Sequence, residues 1–100
     1  MDIFAVLSDP TRRRIVEIVS GGELSAGQIA DHFDVSRPAV SKHLRLLRES
    51  GLLTNRGVAQ QRIYRLNPGA LDELEEWAAR TRSFWAGSLA NLDRHLGKQS

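Results

Sequence analysis

Residues 25–50 read SAGQIADHFDVSRPAVSKHLRLLRES and contain two helix starts separated by a short turn. Ser25 opens an S-x-x-Q capping box, which satisfies free backbone amides at the start of a first short helix. Ser36 opens a second helix, in which Pro38 is tolerated because amides of the first turn have no partner within the helix. Two short helices joined by a tight turn are typical of a helix-turn-helix. We expect the second helix to cover about residues 36–50.

The apolar pattern and the preceding segment support this reading. Three residues of the second helix recur at i, i+4 and i+7 and predict a buried seam: Val40, Leu44 and Leu47. Gly51 stands where helices commonly end. Upstream, Asp9 and Pro10 form a helix-start signal, and a helix of about ten residues is expected to end at Gly21. Its predicted buried residues are Ile15, Ile18 and Val19.

The residue pattern changes after Gly51. Residues 52–56 and 61–66 favour β structure, and residues 57–60 between them are expected to form the turn. A hairpin directly after a helix-turn-helix is a wing. We therefore predict a wing over about residues 52–66.

A long helix is predicted over about residues 70–96. Its apolar stripe steps by threes and fours through Leu71, Leu74, Ala78, Thr81, Trp85, Leu89, Leu92 and Leu96. A core this small cannot cover such a stripe, so we interpret the segment as a dimerisation helix. The predicted fold class is mainly α with a β-hairpin wing (α+β), a single winged helix-turn-helix domain over residues 1–100.

Charge is distributed unevenly along the chain. The 100 residues include 14 Lys and Arg against 12 Asp and Glu, a formal net charge of +2. Residues 36–66 hold seven basic side chains and the single acid Glu49, so this segment carries +6 and the rest of the chain −4. The seven are Arg37, Lys42, Arg45, Arg48, Arg56, Arg62 and Arg65. A nearly neutral total therefore does not argue against a polyanionic partner.

The basic side of the second helix predicts binding of double-stranded DNA. An α-helix fits the major groove, where Arg and Lys donate to guanine O6 and N7. Arg56 and Arg62 flank the hairpin tip, where we expect them along the DNA backbone or in the adjacent minor groove. The alternative is that the basic side is only solvated.

Four segments together resemble the ArsR family of winged helix-turn-helix repressors: LSDPTRR at 7–13, SRPAVSKHLRLL at 36–47, GLL at 51–53 and IYRL at 63–66. The resemblance covers nearly the whole chain. It implies a homodimer built from the first and last helices, whose paired recognition helices enter successive major grooves of a palindromic operator. It places base contacts on Arg37, Ser41 and Lys42, with Pro38 where many relatives carry a hydrogen-bonding residue. The predicted DNA-binding residues are thus Arg37, Pro38, Ser41, Lys42, Arg45, Arg56 and Arg62.

The metal-sensing motifs of that family are not matched. The usual cysteine motif corresponds here to residues 28–33, QIADHF, which hold no thiolate. The alternative site in the last helix pairs Asp and His with a later His and Glu. Asp93 and His95 resemble its first half, but residues 96–100 lack the second. We predict no metal and no cofactor, in keeping with the metal-independent autorepressor branch that the segments at 9–13 and 36–38 resemble.

Other absences limit the function classes. The chain has no cysteine, which excludes disulfides and Cys nucleophiles and is typical of a reducing cytosol. The apolar run at residues 3–7 is too short for a signal peptide, and no apolar stretch approaches a bilayer span. We found no catalytic motif and interpret His43 as a packing or phosphate-adjacent side chain. We expect a cytoplasmic protein that is not an enzyme, with no catalytic residues and no membrane association.

Two features allow a different function. Trp77, Phe84 and Trp85 in the last helix are expected to pack across a dimer or against Phe4 and Leu7, but they also suit a small-molecule pocket at the dimer interface. The basic side of the second helix also suits a protein-interaction module that docks an acidic partner. The sequence identifies no effector, operator or regulated gene.

Overall fold

The computed structural model describes residues 2–97, with side chains described as far as Trp85. Within them it contains five helices and three strands, in the following order. They are α1 (Ile3–Val6), α2 (Pro10–Ser20), β1 (Leu24–Ser25), α3 (Ala26–Ala30), α4 (Arg37–Glu49), β2 (Leu53–Val58), β3 (Gln61–Leu66) and α5 (Pro68–Gly97). The chain forms two compact units, which divide between Ala70 and Leu71. The predicted winged helix-turn-helix is confirmed as α3, α4 and the β2–β3 hairpin.

The helix starts predicted from the sequence are confirmed by their caps. Asp9 Oδ2 accepts a hydrogen bond of 3.0 Å from the Arg12 amide at the start of α2. At α3, Ser25 Oγ accepts from the Gln28 amide at 3.1 Å, while the Gln28 side chain accepts from the Ser25 amide at 2.8 Å. Ser36 Oγ accepts an amide hydrogen bond of 3.2 Å within the first turn of α4. These local bonds fix where each helix of the motif begins.

The core of the first unit lies between α2, α3, α4 and the sheet. The predicted seam of α4 is buried, with Val40, Leu44 and Leu47 exposed by 2% or less. Of the residues predicted for α2, Ile15 and Val19 are buried and Ile18 is half-buried. The remaining buried apolar residues are Ile3, Val6, Ile29, Ala30, Leu52, Leu53 and Tyr64. Burying one side of α4 in this way leaves its opposite side for solvent.

The hairpin is longer than predicted. The predicted four-residue turn is wrong at its first two positions, since Gly57 pairs with Arg62 and Val58 with Gln61 in the antiparallel ladder. The turn itself is only two residues long, and Ala59 in it has a φ of +56°. Glycine at position 57 indicated a turn, but the continuing backbone pairing keeps this residue extended.

A third strand was not predicted. The two residues of β1 pair with β3, Leu24 opposite Tyr64 and Ser25 opposite Ile63, so the sheet order is β1-β3-β2. Two residues are too few to show the alternation of apolar and polar residues that predicts a strand. Strand β1 is defined by its pairing with β3.

The last helix begins two residues earlier than predicted. Asn67 Oδ1 accepts a hydrogen bond of 3.3 Å from the Gly69 amide, and Pro68 is the first residue of α5. Proline suits a first helical position because its missing N–H would have no partner there. The helix extends to Gly97, against a predicted end near residue 96. The side chains of Leu89, Leu92 and Leu96, part of the predicted stripe, lie outside those described.

Candidate nucleic-acid interface

The side of α4 that faces solvent carries the predicted base contacts. All five of the α4 residues predicted to bind DNA are exposed: Arg37, Pro38, Ser41, Lys42 and Arg45. Four of them, Pro38, Ser41, Lys42 and Arg45, line one shallow depression. They lie opposite the buried seam, so the core holds α4 with this side outward.

The cations of α4 are available for an external partner. Within the described residues, no ion pair or side-chain hydrogen bond engages Arg37, Lys42, Arg45 or Arg48. The helix starts at a serine cap and has no acid in its first turn. Nothing in this part of the chain therefore competes with an anion for these four side chains.

The start of α4 and the hairpin tip share a cleft. Arg37 and Arg62 both line it, together with Ser25, Ala26, Gly27, Gln60 and Gln61. The Arg37 guanidinium lies over Gly27 at the start of α3, where a Cβ atom would stand 3.7 Å from Arg37 Nη2. The structure thus brings together Arg37 and Arg62, two predicted DNA contacts that are 25 positions apart in the sequence.

Arg56 and Arg62 lie on opposite faces of the hairpin. Arg62 is paired with Gly57, and a Cβ atom at position 57 would stand 3.7 Å from Arg62 Nη1. Arg56 is paired with Ile63, one step along the ladder, so its side chain leaves from the other face. There its Nη2 donates to Glu23 Oε2 at 2.8 Å. The hairpin therefore directs Arg62 toward the α4 cleft and Arg56 toward Glu23.

The face of the hairpin that carries Arg56 also carries Arg65, and this second arginine has a partner there. Arg65 Nε donates to Thr54 Oγ1 at 3.3 Å across the strand pair. Glu23 and Thr54 were not singled out from the sequence, because neither lies near its arginine along the chain.

A polar cluster that the sequence does not reveal also lies next to α4. Arg12 Nε donates to the Val6 carbonyl at 2.6 Å, and Arg12 Nη1 lies 3.4 Å from His43 Nδ1. The amide hydrogen bond from Arg12 is the main reason that the pKa of Asp9 lies below its usual value. Partial burial opposes this shift, and attraction to His43 and Arg12 adds to it. Asp9 and Arg12 appear in the sequence as a helix start, and only the fold shows that Arg12 reaches α4.

Two further observations concern metal ions and membranes. Among the residues that the structure describes, no group of three His, Asp or Glu side chains is placed to hold a metal ion. The pair Asp93 and His95, weighed as half of a metal site, lies outside the described side chains. Within residues 2–97, no helix combines the length and apolar character needed to cross a bilayer.

The aromatic residues of α5 are open to solvent. Phe84 is 77% exposed, Trp85 60% and Trp77 48%. Exposed aromatic area of this size is uncommon on a protein surface that has no partner.

Comparisons with known proteins agree with this geometry. A family model described as a helix-turn-helix domain matches residues 7–56. The transcriptional repressor SdpR of Bacillus subtilis (strain 168) is 37% identical over 76 residues, which cover 76% of this chain and 84% of that repressor. The arsenical resistance operon repressor of Escherichia coli (strain K12) is 41% identical over 81 residues, 80% of this chain and 66% of that protein.

Solved structures show the same relationship. An ArsR-like transcriptional regulator from Rhodococcus sp. RHA1 has a TM-score of 0.74 at 32% identity, over 92% of this chain and 87% of that one. A possible transcriptional regulator for arsenical resistance also has a TM-score of 0.74, at 44% identity over 85% of each chain. The fold, the exposed basic side of α4 and these similarities lead to one conclusion: the chain belongs to the ArsR family of winged helix-turn-helix repressors and is a DNA-binding transcriptional regulator.

Proposed function

We propose that this regulator is a homodimeric repressor of its own or a neighbouring promoter and that it binds a palindromic operator. The observation that carries the proposal is the exposed side of α4, which presents Arg37, Pro38, Ser41, Lys42 and Arg45 opposite a buried seam. A helix held in this way enters a major groove with its donors directed at base edges.

Six of the seven predicted contacts have distinct parts in this proposal. Arg37, Ser41 and Lys42 donate to base edges from the first two turns of α4. Pro38 has no N–H to donate, and its exposed ring provides an apolar contact for a thymine methyl group. Arg45 and Arg62 bind backbone phosphates. Such contacts set affinity and register but carry no sequence information.

The dimer is proposed from α5. Phe84 and Trp85 lie in the predicted apolar stripe or beside it and are exposed in the single chain. Covering them with the same helix of a second copy removes apolar area from water and provides two recognition helices related by a two-fold axis. In this proposal, residues 71–100 are the dimerisation element of one winged helix-turn-helix domain.

The proposal includes no metal, cofactor or identified effector. The chain has no cysteine, so it offers no thiolate to a soft metal. The metal-independent branch of the family is the one that this composition favours. The proposal places the protein in the cytoplasm.

Selection from a random-sequence duplex library tests the DNA part. We expect the chain to enrich an inverted repeat whose half-sites are centred about 10–10.5 base pairs apart or a multiple of this. Affinity for the selected duplex should fall steeply as salt increases, because each phosphate neutralised contributes a log–log slope of about −0.9. Enrichment of no sequence, as expected for a module that docks an acidic protein, would contradict the proposal.

Sedimentation velocity at micromolar concentration tests the dimer. We expect the wild-type chain to sediment as a dimer and the Phe84→Asp, Trp85→Asp double variant as a folded monomer. Arg82→Asp is the matched control, since Arg82 is exposed on the same helix and outside the apolar stripe. A wild-type chain that sediments as a folded monomer contradicts the dimer.

A further inference from the structure

Arg12 connects three separate parts of the chain. It lies in the first turn of α2, where its amide donates to Asp9. Its Nε donates to the Val6 carbonyl at the end of α1 at 2.6 Å. Its Nη1 lies 3.4 Å from Nδ1 of His43 on α4, a long hydrogen bond. One side chain therefore links α1 to α4.

This geometry determines the proton position on His43. A guanidinium group is a donor only and stays protonated, so it cannot accept from a ring nitrogen. In the neutral form of the ring, His43 Nδ1 is then the acceptor and the proton lies on Nε2. Arg12 thus selects one tautomer of His43.

The hydrogen bond between Arg12 and His43 meets α4 next to its exposed basic side. His43 is half-buried and follows the exposed Lys42, about 100° further around the helix. Among the described residues, His43 is the one member of α4 whose side chain makes a polar contact to another helix. The buried seam holds α4 through apolar contacts, which are non-directional. A directional contact adds a constraint on rotation of the helix about its own axis.

We infer that Arg12 is a positioning residue, which sets the rotation of α4 through its bridge from the Val6 carbonyl to His43 Nδ1. Ser41 and Lys42 are thereby held at the angle from which they reach base edges. Bidentate base contacts need placement within about 0.5 Å, so a small rotation of the helix reduces sequence preference. The inference rests on the proposed mode of DNA binding, although neither Arg12 nor His43 needs to touch DNA.

The DNA-free protein provides the first test. Long-range ¹H–¹⁵N correlation NMR reads the tautomer of each histidine ring. At a pH where the imidazole is neutral, we expect the Nε2–H tautomer at His43 in the wild type and a mixture of tautomers in Arg12→Met, which keeps an apolar stem but has no donor. An Nδ1–H tautomer in the wild type, or one unchanged by Arg12→Met, would overturn the inference whatever the protein does with DNA.

The second test compares affinity for the duplex selected by the wild type with affinity for a scrambled duplex of the same composition. We expect Arg12→Met to reduce this preference by a factor of about five or more, since a hydrogen bond to a charged group is lost. Arg13→Met is the matched control, because it removes the same charge from an exposed neighbour. An equal loss in both variants would show that only charge matters and would overturn the inference.

Variants of His43 keep the test decisive if Arg12→Met fails to fold. In His43→Asn the amide oxygen takes the place of Nδ1 and accepts from Arg12, whereas His43→Ala has no acceptor. We expect His43→Asn to keep most of the preference for the selected duplex and His43→Ala to lose it, with both variants folded by circular dichroism. Equal preference in these two variants would contradict the positioning role. Failure of the wild type to select any duplex would instead count against the proposed function.

Discussion

Helix α4 and the β2–β3 hairpin carry similar amounts of basic charge but hold it differently. The four cations of α4 have no polar side-chain partner among the described residues. In the hairpin, Arg56 is bound to Glu23 and Arg65 to Thr54, and Arg62 alone lies over the cleft shared with α4. Some positive charges of a segment are therefore already paired within the chain, and fewer are available to a nucleic acid than the sequence count suggests.

The difference follows from how each element packs. A helix buries one stripe, and its remaining sides are far from other backbone. In a hairpin, each side chain lies opposite a residue of the partner strand. Strand β3 also pairs with β1, so residues next to β1 lie within reach of long side chains from β2. Arg56 thereby meets Glu23, which directly precedes β1. Base recognition is accordingly expected from α4, with a smaller backbone contribution from the hairpin.

The largest expected effect is on α4. Lys42→Ala should weaken binding to the selected duplex by about 1–3 kcal/mol and leave binding to a scrambled duplex much less affected, because a base contact is lost. Fluorescence anisotropy on both duplexes measures the two effects. An equal loss of affinity for both duplexes would show that Lys42 contacts phosphate and not a base. It would contradict the proposal that α4 reads sequence and the hairpin does not.

Arg62→Ala should weaken selected and scrambled duplexes similarly. Its contact is to the backbone, so the log–log salt slope should become shallower by about 0.9 for each half-site. Anisotropy at four or five salt concentrations gives this slope. A loss confined to the selected duplex would instead show that the hairpin reads sequence.

Asp9 lies outside both α4 and the hairpin, so replacing it tests the stability of the fold and not the recognition of DNA. Asp9→Ala removes the cap of α2 and should cost about 1 kcal/mol of unfolding free energy at pH 7. Because the pKa of Asp9 is lowered in the folded state, this contribution is present above its unfolded-state pKa and disappears as the pH falls through the folded value. Urea unfolding at pH 7 and below pH 4 measures it. A penalty that grows toward acid pH would contradict this assignment.

Arg56→Ala should have a smaller effect on binding than Arg62→Ala, because the Glu23 carboxylate already holds Arg56. The partner variant Glu23→Gln should increase affinity for all duplexes slightly, since it frees the cation. The ion pair is exposed, so its own strength is at most about 1 kcal/mol. Equal losses for Arg56→Ala and Arg62→Ala would show that the pairing with Glu23 does not restrain Arg56.

The smallest effect is expected in the hairpin turn. Ala59→Gly relieves a positive φ of +56° and should raise the unfolding free energy by less than about 1 kcal/mol, with no change in sequence preference. Differential scanning calorimetry together with anisotropy measures both. A loss of stability would show that Ala59 is not strained at this φ.

The features predicted from the sequence are those set by neighbours along the chain. The caps at Asp9, Ser25 and Ser36 and the apolar seam of α4 depend on residues within two turns of each other, and all were predicted correctly. The exposed side of α4 follows directly from that seam. Knowledge of three buried residues was therefore enough to predict which side of α4 is exposed.

The features that the sequence did not predict depend on contacts between residues that are distant along the chain. Strand β1 exists because it pairs with β3, and Arg12 meets His43 across 31 positions. Arg56 and Glu23 are 33 positions apart. Sequence spacing treated Arg56 and Arg62 alike, and only the register of the hairpin places them on opposite faces.

Methylation interference tests the central claim most directly. Methyl groups on guanine N7 lie in the major groove, where Arg and Lys from α4 are proposed to donate. We expect premethylated guanines to block binding at two clusters, one in each half of the selected duplex, about 10–10.5 base pairs apart or a multiple of this. No interference in the major groove, or interference only at minor-groove adenine N3, would contradict entry of α4 into the major groove.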